Sequence, residues 1–256
     1  MLLAIDAGNT NITLGVFRDD DLIAEWRIVT DHAKHVDEYV ADLHDLFQSA
    51  CLHLNKIDAV VIASVVPPLD QTLKLMVQRG FQLTPLFVNH TVNTGLKILY
   101  DEPANVGADR IVDAVAAVTK YGAPCIVVDF GTATTFNAVS VAHEYLGGVI
   151  APGIKISAEA LFLRAAKLPR VEIKRPEKVI GTSTVGAMQS GLYHGYAGLV
   201  DGVLEKMIEE MKTTPHVIGT GGHAPLIADA SKFIEKVDST LTLDGLRIVY
   251  ERTTQV

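Results

Sequence analysis

Cysteine is almost absent from the chain: its 256 residues include only Cys51 and Cys125. With no Cys-x-x-Cys pair, neither a disulfide framework nor a zinc framework is indicated. An excess of positive charge is missing as well. Lys and Arg number 22 against 30 for Asp and Glu, a formal net charge of −8, which is the wrong sign for gripping a nucleic-acid backbone. Long hydrophobic runs are lacking. The longest nearly continuous one, Ala59 to Val66, is far too short to span a bilayer. No basic segment precedes the first apolar run, Leu2 to Ile5, and Asp6 cuts that run short, so a secretory signal is not expected. There is no Gly-x4-Gly-Lys-Ser/Thr loop, no Gly-x-Ser-x-Gly elbow and no His-Glu-x-x-His. These absences argue against a P-loop enzyme, a serine hydrolase and a zincin. His32 and His35 are close together but have no carboxylate pattern beside them. The expectation is a soluble cytoplasmic protein that binds neither nucleic acid nor membrane.

What the chain does have is enough apolar residue, 48%, to bury a core, and two acidic turns in matching surroundings. Asp6-Ala7-Gly8-Asn9-Thr10 follows the apolar run Leu2–Ile5 and precedes the alternating stretch Asn11–Phe17. Asp129-Phe130-Gly131-Thr132-Ala133-Thr134-Thr135 follows Cys125–Val128 and precedes Thr134–Ser140. Each unit then adds a third strand-like run, Leu22–Ile28 and Tyr145–Ala151. Building Asp-x-Gly between two strands twice points to a duplicated α/β fold with a cleft between its halves. A tight hairpin at Gly8 brings backbone N–H groups close to an anion, and Asn9, Thr10 and Thr13 add neutral donors. Asp6 cannot bind phosphate itself; it suits Mg²⁺, directly or through water, since Mg²⁺ takes one or two carboxylates plus phosphate oxygens. The plainer alternative is a hairpin with an Asx-type turn.

Periodicity adds a helix near 36–52, a buried strand at Ala59–Val65, a helix over 69–79 and a strand near 84–88. A helix over about 104–121, started by Pro103, bridges the halves, which are expected at 1–115 and 116–256. The second half repeats the strand order and carries an insertion in helices between 153 and 212, with a strand at 216–219 and a final helix. In the helix from Thr184, Ala187, Gly191, Gly195, Gly198 and Gly202 fall on one face. Glycine costs about 1 kcal/mol per helical position relative to alanine, so this strip implies close backbone approach, either within the core or across a subunit interface. Gly219-Thr220-Gly221-Gly222-His223-Ala224, with Asp238 beyond it, also fits a loose dinucleotide pattern. The chain after it is too short to complete such a domain, and the glycines suit an adenosine lying against the backbone instead.

Taken in order, the two acidic turns, Gly107-Ala108-Asp109-Arg110, Gly147-Gly148-Val149-Ile150-Ala151-Pro152-Gly153, Gly181-Thr182-Ser183-Thr184 and Gly219-Thr220-Gly221-Gly222 resemble type III pantothenate kinase, of the sugar kinase–Hsp70–actin superfamily. The resemblance runs nearly end to end. It implies two ribonuclease H-like (actin-like ATPase) halves with mixed sheets, ATP-dependent phosphorylation of pantothenate at the first committed step to coenzyme A, a monovalent cation (K⁺ or NH₄⁺) and a homodimer. It implies that Asp6, Ala7, Gly8, Asn9, Thr10, Asn11, Ile12 and Thr13 form the phosphate hairpin and that Thr132 helps bind ATP. On the same basis Asp129 holds the cation, Tyr100, Gly107, Ala108, Asp109, Arg110 and Thr184 line the pantothenate pocket, and Asp109 is the base. Elementary chemistry agrees: phosphoryl transfer needs positioning, charge stabilisation and a carboxylate for the hydroxyl proton, and Arg110 offers a planar fork to a substrate carboxylate. Helix capping and a surface ion pair are the plainer alternative for Asp109 and Arg110. A nucleotide-binding regulator and a phosphoanhydride hydrolase of the same fold remain as rival functions.

Overall fold

The computed structural model describes residues 1–254. The chain runs β1 (Leu2–Ala7), β2 (Asn11–Arg18), β3 (Asp21–Val29), α1 (Val36–Ser49), β4 (Ala59–Ser64), α2 (Pro67–Phe81), β5 (Leu86–Phe87), β6 (Lys97–Ile98) and α3 (Ala108–Tyr121). It continues with β7 (Cys125–Phe130), β8 (Ala133–Val139), β9 (Glu144–Pro152), α4 (Ile154–Arg164), α5 (Thr184–Met211), β10 (His216–Thr220), α6 (Ala224–Ala228), β11 (Lys236–Val237) and α7 (Leu241–Thr254).

One sheet has the order β3-β2-β1-β4-β5 and the other β11-β10-β7-β8-β9-β6. Read from its own first strand, each sheet repeats one plan. Two antiparallel pairings form a meander (β1-β2-β3 and β7-β8-β9), and a strand parallel to the first (β4 and β10) extends the other side. β6 adds an extra edge beside β9. The duplication expected from the two acidic turns is therefore present as strand order. β1 and β7 are buried along almost their whole length, as central strands covered on both faces must be.

The chain forms two compact units. One comprises 1–96, 101–116 and the segment from Thr242 on; the other comprises 97–100 and 117–241. In the first, Leu3, Ile5, Ile12 and Leu14 pack against Tyr39, Leu43 and Phe47 of α1 and Leu69, Leu73 and Met76 of α2. Strand alternation sends Asp6, Thr13 and Gly15 to the opposite face. There Leu243 of α7 fits over Gly15. α7 and α3 approach so closely that a Cβ on Gly245 would fall 2.1 Å from the Val112 carbonyl oxygen, and Thr242 donates to Asp113 across the same contact at 2.7 Å. In the second unit, Tyr196, Val200 and Leu204 of α5 pack on Ile126, Val128 and Phe136 of the sheet.

Several boundaries differ from the periodicity. The helix expected over 69–79 begins earlier, with Pro67 and Pro68 in the first turn of α2, where a missing N–H costs nothing. Pro103 starts a separate 3₁₀ turn, Pro103–Asn105, and α3 begins only at Ala108. The strand expected near 84–88 shrinks to Leu86–Phe87. The insertion is only partly helical, since 165–183 holds no regular element between α4 and α5. The glycine strip of α5 is not packed against the described residues: around Gly191, Gly195, Gly198 and Gly202 an added Cβ would meet none of them beyond its own helix within 4 Å. Among the described residues, no helix is long and apolar enough to cross a membrane.

Candidate active site

The first acidic turn closes as a tight hairpin. The Gly8 N–H donates to the Asn11 carbonyl at 3.0 Å; Asn9 and Thr10 are exposed at the tip, while Ala7, Ile12 and Thr13 are buried at its base. Asp6, one residue before the end of β1, lies directly across from Thr13. A residue outside every sequence motif holds this turn. Thr30, just past β3, donates its hydroxyl to the Gly8 carbonyl at 2.6 Å and its N–H to the Thr10 carbonyl at 3.0 Å. Both turn carbonyls are thereby engaged from behind. No motif could have found Thr30, because its role depends on β3 pairing with β2.

Gly107, Ala108, Asp109 and Arg110 belong to the same unit as this hairpin. The Asp109 carboxylate folds back over the chain and accepts the Arg110 N–H at 2.7 Å. Only glycine permits this fold, since a Cβ at position 107 would lie 2.5 Å from Asp109 Oδ1. The capping alternative is thus part of the structure. The surface ion pair is not, because Arg110 is 6% exposed. Burial raises the Asp109 carboxyl above its ordinary range, against the lowering pull of the Arg110 N–H and charge. Asp6 is also raised, from 3.8 to about 7, first by burial and then by the charge of Asp109, with Arg27 acting the other way. The two carboxylates therefore share one electrostatic field.

The second acidic turn belongs to the other unit, with Tyr100, Thr132 and Thr184. Gly221, at φ +89°, leaves space for the Asp129 carboxylate, whose Oδ1 would be 2.5 Å from a Cβ there. This gives the Gly219–Gly222 loop its use, and the dinucleotide reading falls away. Asp238, its candidate ribose acid, is instead buried with Lys120 at 2.6 Å and the Tyr121 hydroxyl at 2.7 Å. Beneath Asp129, the Tyr196 hydroxyl bonds to Thr134 and donates to the Pro152 carbonyl at 3.0 Å. Burial raises that phenol, and the Asp129 charge adds to the rise. Thr132 is exposed on the turn. Tyr100 lies over Gly147, 3.5 Å from where a Cβ would stand, and near the Tyr145 ring. Thr184 is exposed at the first position of α5, behind the Ser183 cap that accepts the Gly186 N–H.

Among the described residues, no group of three or more His, Cys, Asp or Glu could hold a metal ion. A divalent ion here would take most of its ligands from phosphate and water, which is the habit of Mg²⁺. Asp6 fits that use: burial and the Asp109 charge disfavour its ionised form, and a cation would favour it. Asp129 offers a hard oxygen donor of the kind a monovalent cation accepts.

The sequence model of the type III pantothenate kinase family matches residues 2–206. A type III pantothenate kinase of Koribacter versatilis (strain Ellin345) is 56% identical, over 98% of this chain and 96% of its own. Component A of (R)-2-hydroxyglutaryl-CoA dehydratase from Acidaminococcus fermentans superposes with a TM-score of 0.59 at 13% identity, covering 97% of this chain and 96% of its own. The inorganic polyphosphate/ATP-glucomannokinase of Arthrobacter sp. strain KM gives 0.52 at 13% identity, covering 100% and 99%. At such identities the structural likeness speaks for the fold, that of actin-like ATPases and sugar kinases.

Proposed function

The chain belongs to the type III pantothenate kinase family, and from that premise we propose how its residues perform the ATP-dependent phosphorylation of pantothenate that begins coenzyme A biosynthesis. The observation that supports the assignment best is the pairing of Asp6 and Asp109, far apart in sequence, in one electrostatic field beside a phosphate-type hairpin.

Backbone N–H groups at the tip of the turn Gly8–Asn11, with the Thr10 and Thr13 side chains, bind the terminal phosphates; Ala7 and Ile12 anchor the turn in the core. Asp109 accepts the proton of the pantothenate primary hydroxyl as its oxygen bonds to the γ-phosphorus and the bond to the β-phosphate oxygen breaks. Its raised affinity for a proton suits it to that task at neutral pH. Arg110 pairs with the pantothenate carboxylate through its planar fork. Tyr100, Gly107, Ala108 and Thr184 complete the pantothenate pocket, and Thr132 contacts ATP. Asp6 would hold Mg²⁺, directly or through water, and Asp129 a K⁺ or NH₄⁺ ion; when bound, these ions neutralise charge on the phosphates.

The protein is further proposed to be a cytoplasmic homodimer. The exposed small-residue strip Ala187, Gly191, Gly195, Gly198 supports this reading, as do exposed Val179, Ile180 and Val185 near the start of the same helix. An isologous interface would set such a face against itself. The deciding assay is ADP release from MgATP with and without pantothenate. Stimulation by pantothenate is expected. Release indifferent to pantothenate would mean a hydrolase, and no release would mean a nucleotide-binding regulator.

A further inference from the structure

Arg27 has no part in the assignments above. It lies on β3, directly across from Thr13 of β2, and Thr13 lies directly across from Asp6 of β1. Residues paired in this way project from the same face of a sheet. On β3, Trp26 and Ile28 face the α1–α2 core, so Arg27 faces the other way, as do Thr13 and Asp6. With strands about 4.8 Å apart, its Cα is roughly 10 Å from that of Asp6, a span that an arginine side chain can bridge over the short Thr13. Its charge already acts on Asp6. The two bonds from Thr30 to the Gly8 and Thr10 carbonyls tie this end of β3 to the hairpin turn, which holds Arg27 at a fixed place beside it.

Of the other arginines of this unit, Arg18 ends β2 across from Asp21, at the opposite end of the strand from the hairpin turn, and the rest are committed elsewhere. Arg79 pairs with Asp37, Arg247 with Asp20 and Glu251, and Arg252 donates to the Thr94 carbonyl. Arg110 is buried next to Asp109. Arg27 is exposed, at the hairpin end of the sheet. The charge balance there calls for a cation. The chain carries a formal charge of −8, and polyphosphate arriving at the hairpin meets the carboxylates of Asp6 and Asp109. A guanidinium matches phosphate oxygens with parallel N–H donors, which a lysine cannot do.

We propose that Arg27 is a phosphate-contacting residue of this site, binding the terminal phosphates of the nucleotide and stabilising the charge on the phosphoryl oxygens during transfer. The proposal rests on the kinase reading for its second half only; phosphate contact stands on the hairpin geometry alone.

The test compares wild type, Arg27→Met and Arg27→Lys. Titration with the magnesium complexes of AMP, ADP and ATP should show a loss of affinity in Arg27→Met that grows with the number of phosphates. In turnover, kcat should fall about 10²-fold or more, the scale for losing one preorganised donor to a developing charge. The KM for pantothenate should stay within about twofold, and Arg27→Lys should recover part of the kcat. Circular dichroism should be unchanged, since the side chain is exposed. An equal loss for AMP and ATP would overturn the proposal, and so would an Arg27→Met enzyme within about threefold of wild-type kcat/KM for ATP. If the wild type does not phosphorylate pantothenate at all, the functional assignment fails, and the nucleotide series still decides the role of Arg27.

Discussion

Replacing Asp6 by Asn should cost the protein its kinase activity and, in the absence of ligands, make it more stable at alkaline pH. Burial and the charge of Asp109 lift the Asp6 carboxyl from 3.8 to about 7. Between those values the folded chain holds a proton that the unfolded chain has released, so stability declines as pH rises through this window. At 1.36 kcal/mol per unit the whole shift corresponds to about 4 kcal/mol, and integration from about pH 5 to about pH 8 gives a loss of about 2.6 kcal/mol. Asparagine is neutral throughout and lacks this slope. Asp109 is present in both proteins and beside a neutral neighbour in the variant, so the difference between the two curves isolates Asp6. Trp26, the only tryptophan, lies in the same unit and stacks on Phe47 at 5.3 Å between ring centroids, so its fluorescence reports the unfolding of that unit in urea. The measurement is made in metal-free, nucleotide-free buffer across the pH series. The stability of Asp6→Asn relative to wild type should increase by about 2 to 3 kcal/mol from the acid to the alkaline end. Parallel curves, with a difference constant to about 0.5 kcal/mol, would refute the burial and like-charge argument.

Asp109→Asn should lower kcat by about 10²–10⁴-fold with ATP still bound; a variant keeping half of wild-type turnover would remove the base assignment. Arg110→Lys should raise the KM for pantothenate and leave that for ATP nearly unchanged, because a point charge does not replace a fork; pantothenol, which lacks the carboxylate, should be a poor substrate of the wild type. Activity should depend on K⁺ or NH₄⁺, and full turnover in sodium alone would count against Asp129 as the cation residue. In Gly195→Leu the added Cβ enters open space among the described residues and the variant should gain up to about 1 kcal/mol in helix propensity, yet sedimentation should show a weakened dimer; an unchanged dimer would move the interface off this face.

Much of the molecule can be read in short windows of sequence. The apolar run ending in Asp6 and the one ending in Asp129 mark two central strands, because a strand covered on both faces needs a continuous apolar stretch. The hairpins follow from Gly8 and from Gly131, and the repeated strand order follows from their repeated context. Element ends were less legible. Pro67, Pro68 and Pro103 all look like boundaries. Two of them open an α-helix and the third opens a separate 3₁₀ turn, a choice set by what each segment packs against rather than by proline itself.

The tertiary structure alone decided the rest. The seating of α7 against α3 depends on Gly245 meeting Val112, a contact no local pattern encodes. Asp238, an attractive ribose ligand on spacing, is absorbed by Lys120 and Tyr121. Thr30 and Arg27 acquire their places from the register of β3 on β2. The proton affinity of Asp6 arises only when α3 brings Asp109 to it and the surrounding chain removes water. Sequence determines which groups are present and the local turns that display them. Charge coupling and desolvation depend on every neighbour in space, so the chemical character of the site is fixed only once the strands have paired and the helices have packed.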